Sequence, residues 1–148
     1  MYQHILIPTD GSDLAEHAVK EGLSLAKSLG AKATVIAVVE LWLGSQGPFM
    51  QPWSIQQLGE YNELAKKQAE SVLERAKNAA KQTGVPCDTI LVEEVQPPYQ
   101  AIITNAADRG CDLIVMASHG RSGLAAVVLG SVTNKVLTHT KIPVLVVR

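Results

Sequence analysis

"VMASHGRSGLAAVVLGS", residues 115–131, opens inside an apolar run and halts on the polar pair Ser118-His119. Gly120, Gly123 and Gly130 follow, and the stretch closes on the hydroxyl of Ser131. Beyond it Val132, Val136 and Leu137 recur at helical spacing. A buried strand, a glycine loop and a helix make one βα unit. Glycine in such a loop either lets the backbone turn or lets it come close to a bound group.

Working outward, four more apolar runs repeat the strand half of this unit. They are "HILIP" at 4–8, "ATVIAVV" at 33–39, "TILVEEV" at 89–95 and "PVLVV" at 143–147, with "DLIVMA" at 112–117 leading into the glycine loop. They are rich in Val and Ile, and several are apolar on consecutive positions, which suits strands buried on both faces of a parallel sheet. Helical patterns lie between them. Leu14, Ala18, Leu25 and Leu29 share a face, and so do Leu58, Tyr61, Ala65, Ala69, Val72, Leu73 and Ala76. Ile102, Ile103, Ala106 and Ala107 mark a third helix. Gly30, Gly84 and Gly110 stand where left-handed residues should close helices, and Asp13 with Glu16 marks a helix start. The segment 41–53, "LWLGSQGPFMQPW", breaks the rhythm and predicts a mobile loop or lid after the second strand.

The order is therefore β-α-β-α-β-α-β-α-β. It predicts an α/β fold of one domain over 1–148, a five-stranded parallel sheet with helices on both faces. Ligands of such sheets lie beyond the carboxyl ends of the strands, where strand order reverses. Two strand ends are furnished for that: Pro8-Thr9-Asp10-Gly11-Ser12 and Met116-Ala117-Ser118-His119-Gly120.

Composition narrows the function classes. The 148 residues are 47% hydrophobic and 18% charged, with a formal net charge of -1, which fits a soluble globular domain. There is no basic patch, so no nucleic-acid partner is expected, and Lys66-Lys67 reads as a solvated helix face. No apolar stretch is long enough to span a membrane, and the start "MYQHILIPTDGS" is not a signal peptide, so a cytoplasmic location is expected. Cys87 and Cys111 form no CxxC pair and read as small packing residues. His4, His17 and His139 lack metal-ligand spacing, and no metal site is expected from them.

Two nucleotide motifs are absent. There is no GxxxxGK[ST] and no GxG, so neither a P-loop nor a dinucleotide fingerprint is present. Gly130-Ser131 ahead of a helix still makes an anion site from backbone N–H groups and a hydroxyl, though a plain N-cap serine fits the same residues. Asp10 fits a ribose-hydroxyl acceptor or a cap of the first helix, and Arg121 a phosphate contact or a solvent-facing cation. Ser118-His119 invites a hydrolase reading, but neighbours in a chain seldom face each other and no GxSxG elbow is present.

The glycine loop resembles that of the universal stress protein family, whose ATP-binding members carry G-x2-G-x9-G-[ST] after the fourth strand. Gly120 matches the second glycine, nine residues from Arg121 to Leu129 follow, and Gly130-Ser131 completes the motif. Ala117 stands where the first glycine falls. If that position needs positive φ, alanine costs on the order of 1 kcal/mol; if it is still extended strand, it costs little. The opening "ILIPTDGS" and the closing "IPVLVV" extend the resemblance over the whole chain. It implies the strand order 3-2-1-4-5 and a Rossmann-like domain related to the adenine nucleotide alpha hydrolases. It implies ATP, with Mg²⁺, as ligand, and a homodimer paired through the last strand. It places Pro8, Thr9 and Asp10 near ribose and adenine and sets the Val38 backbone against adenine. Met116 and Ala117 would flank ribose and phosphates, and Gly120, Gly130, Ser131 and Val132 would cradle the triphosphate. The expected role is a stress-response nucleotide sensor or regulator with slow turnover at most, serving an unidentified protein partner. The rivals are a dimeric interaction module that binds no nucleotide and an ATP pyrophosphatase-like enzyme using "TDGSD", whose loop lacks the paired glycines.

Overall fold

The computed structural model describes residues 1–43, 53–121 and 129–148. Among these residues five strands alternate with four helices. They are β1 (His4–Pro8), α1 (Asp13–Leu29), β2 (Lys32–Glu40), α2 (Ile55–Thr83) and β3 (Cys87–Glu94). After these come α3 (Pro98–Asp108), β4 (Leu113–Ala117), α4 (Ser131–His139) and β5 (Val144–Val147). The sheet order is β3-β2-β1-β4-β5 and every pairing is parallel, as expected.

Burial explains why the runs read as continuous apolar stretches. Ile5, Leu6, Ile7, Val35, Ile36, Ile114 and Val115 are wholly buried, because the central strands are covered on both faces. Each such side chain contributes about 1.5–3 kcal/mol relative to exposure. Ile5, Ile7, Val35 and Val115 pack with Val19 and Leu23 of α1 and Leu73 and Ala76 of α2. Leu6, Ile36, Ile114 and Met116 pack with Ile102 and Ala106 of α3 and Val136 of α4.

The helix faces differ in part from the periodic pattern. The stripe that α1 buries is Ala15, Ala18, Val19, Gly22, Leu23 and Ala26, while Leu29 stays 39% exposed. Small residues let this helix lie close to β1, where a Cβ on Gly22 would stand 2.6 Å from the Ile7 Cδ1. In α2 the buried residues are Val72, Leu73, Ala76 and Ala80, and Tyr61 is exposed. The first half of this helix is less deeply covered: Leu58, Ala65 and Ala69 are half-buried, and Tyr61 packs against Trp42 and Trp53.

The predicted loop or lid falls mostly in 44–52, outside the described residues. Its flanks are held. Trp42 lies 5.9 Å from Trp53 and 6.2 Å from Tyr61 between ring centroids. Asn62 accepts from the Trp42 N–H at 2.9 Å and donates to its carbonyl at 3.1 Å.

Candidate functional site

Strand order reverses between β1 and β4, so the loops leaving their carboxyl ends stand side by side over a crevice. β1 stops at Pro8, opposite Ile36, while β2 continues to Glu40. The Thr9 N–H still donates to the Ile36 carbonyl at 2.9 Å. In a parallel ladder, alternate residues turn their backbone groups to the same neighbour. Val38 therefore points its N–H and C=O past the end of β1, toward the crevice.

The start of α4 is pinned at the end of β4. The Gly130 N–H donates to the Ser118 carbonyl at 2.6 Å, and the buried Thr133 hydroxyl donates to the Ala117 carbonyl at 2.8 Å. Gly130 occupies the N-cap with φ −69° and ψ 163°, and Ser131 is the first helical residue. The plain N-cap reading of Ser131 is thereby corrected: its hydroxyl is exposed at the first helical position. A glycine cap has no oxygen to offer, and no side chain caps α4 among the described residues. By contrast Ser12 caps α1, and Ser54 with Gln57 forms a capping box on α2. The N–H groups of Ser131 and Val132 are thus first-turn donors that the helix itself cannot satisfy, at the positive end of its dipole.

Glycine at 130 is favoured by proximity rather than by backbone conformation. A Cβ there would stand 3.1 Å from the His119 Cα and 3.3 Å from its Cβ. Gly120 is likewise crowded: a Cβ would run into the Asp10 carboxylate. Asp10 is exposed, and it does not cap α1, since Ser12 accepts from the Ala15 N–H at 3.3 Å. Asp10 instead accepts from the Ser12 N–H at 2.9 Å and from the Arg121 N–H at 2.9 Å. Thr9 is buried, and its hydroxyl accepts from the Gly11 N–H at 3.3 Å. Pro8 is half-buried at the end of β1.

Ala117 is the last residue of β4, pairs with Val147, and has no left-handed φ. Its methyl packs with Ala15, Ala18 and Val147 on the α1 side. The departure from the family glycine is therefore cheap, because extended backbone accepts alanine. Met116 buries its side chain against the opposite layer, which leaves only its backbone for the crevice.

Ser118 and His119 depart from the expectation for chain neighbours. The Ser118 Oγ lies 3.1 Å from the His119 Nδ1. No carboxylate orients this pair among the hydrogen bonds of the described residues, so the third member of a triad is missing. Gly123 lies outside the described residues. His17 and His139 are exposed. His4 is 7% exposed at the opposite end of the sheet, with Nδ1 3.2 Å from the Arg109 carbonyl and Nε2 2.8 Å from the Thr34 hydroxyl. A carbonyl only accepts, so Nδ1 carries a proton. Burial, seconded by Lys32, holds its pKa below 6.5. Cys87 and Cys111 are free thiols, and burial pushes Cys111 up to about 11.

Sequence reading missed Thr133. A threonine in a first helical turn is common, and nothing in its local pattern shows that its hydroxyl reaches back to Ala117.

The sequence profile of the universal stress protein family matches residues 1–148. Universal stress protein MJ0531 of Methanocaldococcus jannaschii is 34% identical over 148 residues, covering all of this chain and 83% of that one. Among solved structures, UspA of Lactobacillus plantarum is 26% identical with a TM-score of 0.83, covering 99% of this chain and 98% of that one. A universal stress protein in complex with cAMP is 25% identical with a TM-score of 0.71, covering 99% of this chain and 97% of that one.

Proposed function

The chain belongs to the universal stress protein family, and from that membership we propose that it binds ATP in the crevice between β1 and β4 as a nucleotide sensor or regulator. The observation that carries this reading is the start of α4, capped by no side chain among the described residues and held against β4 by Gly130 and Thr133. Fixed N–H donors at a helix N-terminus suit phosphate oxygens. The triphosphate lies on Gly120, Gly130, Ser131 and Val132, the ribose near Asp10, and adenine against the Val38 backbone. Pro8, Thr9, Met116 and Ala117 line the rest. The cAMP bound by a structural relative supports an adenine nucleotide as the ligand class.

The described residues hold no cluster of three His, Cys, Asp or Glu side chains fit for a metal. Mg²⁺ fits this site as a passenger on the phosphates, since it keeps much of its water shell. A serine–histidine pair without an orienting acid supports slow turnover at most. The free edge of β5 supports a homodimer, with Leu145 45% exposed on that strand. Free thiols and a cytoplasmic ligand favour the cytoplasm. Calorimetric titration with ATP, ADP, AMP and GTP in the presence of Mg²⁺ tests the reading. Saturable binding of ATP is expected; the absence of any nucleotide binding would leave a dimeric interaction module.

A further inference from the structure

We propose that Asp10 is a positioning residue whose carboxylate latches the glycine loop to the start of α1, holding the wall of the phosphate site in place. Its two oxygens are divided between a neighbouring backbone and one 111 residues away in sequence. Oδ1 accepts from the Ser12 N–H at 2.9 Å, and Oδ2 accepts from the Arg121 N–H at 2.9 Å. A carboxylate accepting N–H groups forms the stronger, charge-assisted kind of hydrogen bond.

Gly120 makes the latch sterically feasible. Its φ lies outside the left-handed region, so the backbone there does not demand glycine. The latched carboxylate does, because a Cβ would run into Oδ2 and push it aside. The Arg121 side chain lies over the same loop, with its Nη2 3.2 Å from where a Cβ of Gly11 would stand. Fixing Gly120 and Arg121 also restrains His119 and Ser118 just before them, and the Ser118 carbonyl accepts from the Gly130 N–H at the cap of α4. The connection runs from Asp10 through Arg121, Gly120, His119 and Ser118 to Gly130. Asp10 therefore acts on the phosphate site through the loop, whether or not a spare lone pair also meets a ribose hydroxyl.

The latch stands on geometry alone, while its effect on affinity rests on the nucleotide reading above. Two measurements separate them. Amide hydrogen exchange of Arg121, followed by NMR without nucleotide, should quicken at least ten-fold in Asp10→Ala and in Gly120→Ala. The double variant should be no faster than either single one, since both break one contact. Asp10→Asn, which keeps one acceptor oxygen, should fall between. Titrations with adenosine and ATP then read the effect on the site. In Gly120→Ala, which retains the carboxylate, the preference for ATP over adenosine should drop ten-fold or more. Unchanged Arg121 exchange in Asp10→Ala overturns the latch. Equal losses of adenosine and ATP in Gly120→Ala overturn its control of the phosphate site. If the wild type binds neither, the nucleotide reading fails, and the exchange measurement still decides the latch.

Discussion

Replacing Gly130 with valine separates a phosphate loop from an ordinary turn. The backbone at φ −69° and ψ 163° accepts a β-branched residue, so no dihedral strain arises. The cost is steric. The new Cβ would meet the His119 Cα at 3.1 Å, its Cβ at 3.3 Å and the Ser118 carbonyl at 3.4 Å. Two of these three neighbours are main chain and cannot rotate away, and the two methyl groups of valine add further contacts. The start of α4 must move outward, stretching the 2.6 Å bond from the Gly130 N–H to Ser118. Overpacking of this kind costs about 1–3 kcal/mol. For a chain of this size that lowers Tm by roughly 3–10 °C. The Ser131 and Val132 donors move with the helix, so ATP affinity should fall by more than roughly ten-fold, about 1.4 kcal/mol. Calorimetry for affinity and a thermal melt for folding are run on the same preparation, with Gly130→Ala as the milder step. A folded Gly130→Val protein that binds ATP as the wild type does would refute the assignment of phosphates to this helix start.

Three further outcomes follow from other parts of the structure. Asp10→Ala should lower nucleotide affinity by roughly 1.5–3 kcal/mol while the fold persists, the range for a hydrogen bond to a charged group; undiminished ATP binding in calorimetry would remove Asp10 from the site. Leu145→Lys should shift the protein toward monomer, because a charge on an exposed β5 position opposes pairing of that edge; light scattering of the wild type should show twice the chain mass of 15.8 kDa, and a constant monomer mass at micromolar concentration would contradict the dimer. His4 has a depressed pKa in the fold, so the unfolded chain binds more protons and stability rises with pH. Its contribution should be complete above about pH 6.5, the unfolded value, and fade as pH falls through the lower folded value. Urea midpoints between pH 5 and 7 should flatten in His4→Gln, and an unaltered pH dependence there would clear His4 of the role.

Local chemistry carried most of the architecture. The consecutive apolar positions of 112–117 and 33–39 announce strands covered on both faces, and Gly30 and Gly84 close their helices at φ 65° and 75°. These signals are legible because each depends on residues within one turn or one strand. The spacing of Gly120 and Gly130-Ser131 marked the candidate phosphate loop only through its resemblance to the universal stress protein family.

Contacts between segments distant in the chain needed the fold. The sequence by itself determined the α/β alternation, the five strands, the loop carrying the glycines and Asp10 at a strand end. It left Asp10 between two roles, since a capping aspartate and a ligand-facing one share the same neighbours. Tertiary structure gave the cap to Ser12 and sent Asp10 to Arg121, a partner 111 residues away. It likewise resolved Ala117, whose cost hinged on a dihedral and on where one methyl points. Thr133 shows the same limit: its hydroxyl reaches Ala117 only because α4 docks against the end of β4. Periodicity encodes which face of an element is apolar, whereas the partner of a polar group is decided by packing that brings remote backbone atoms within 3 Å.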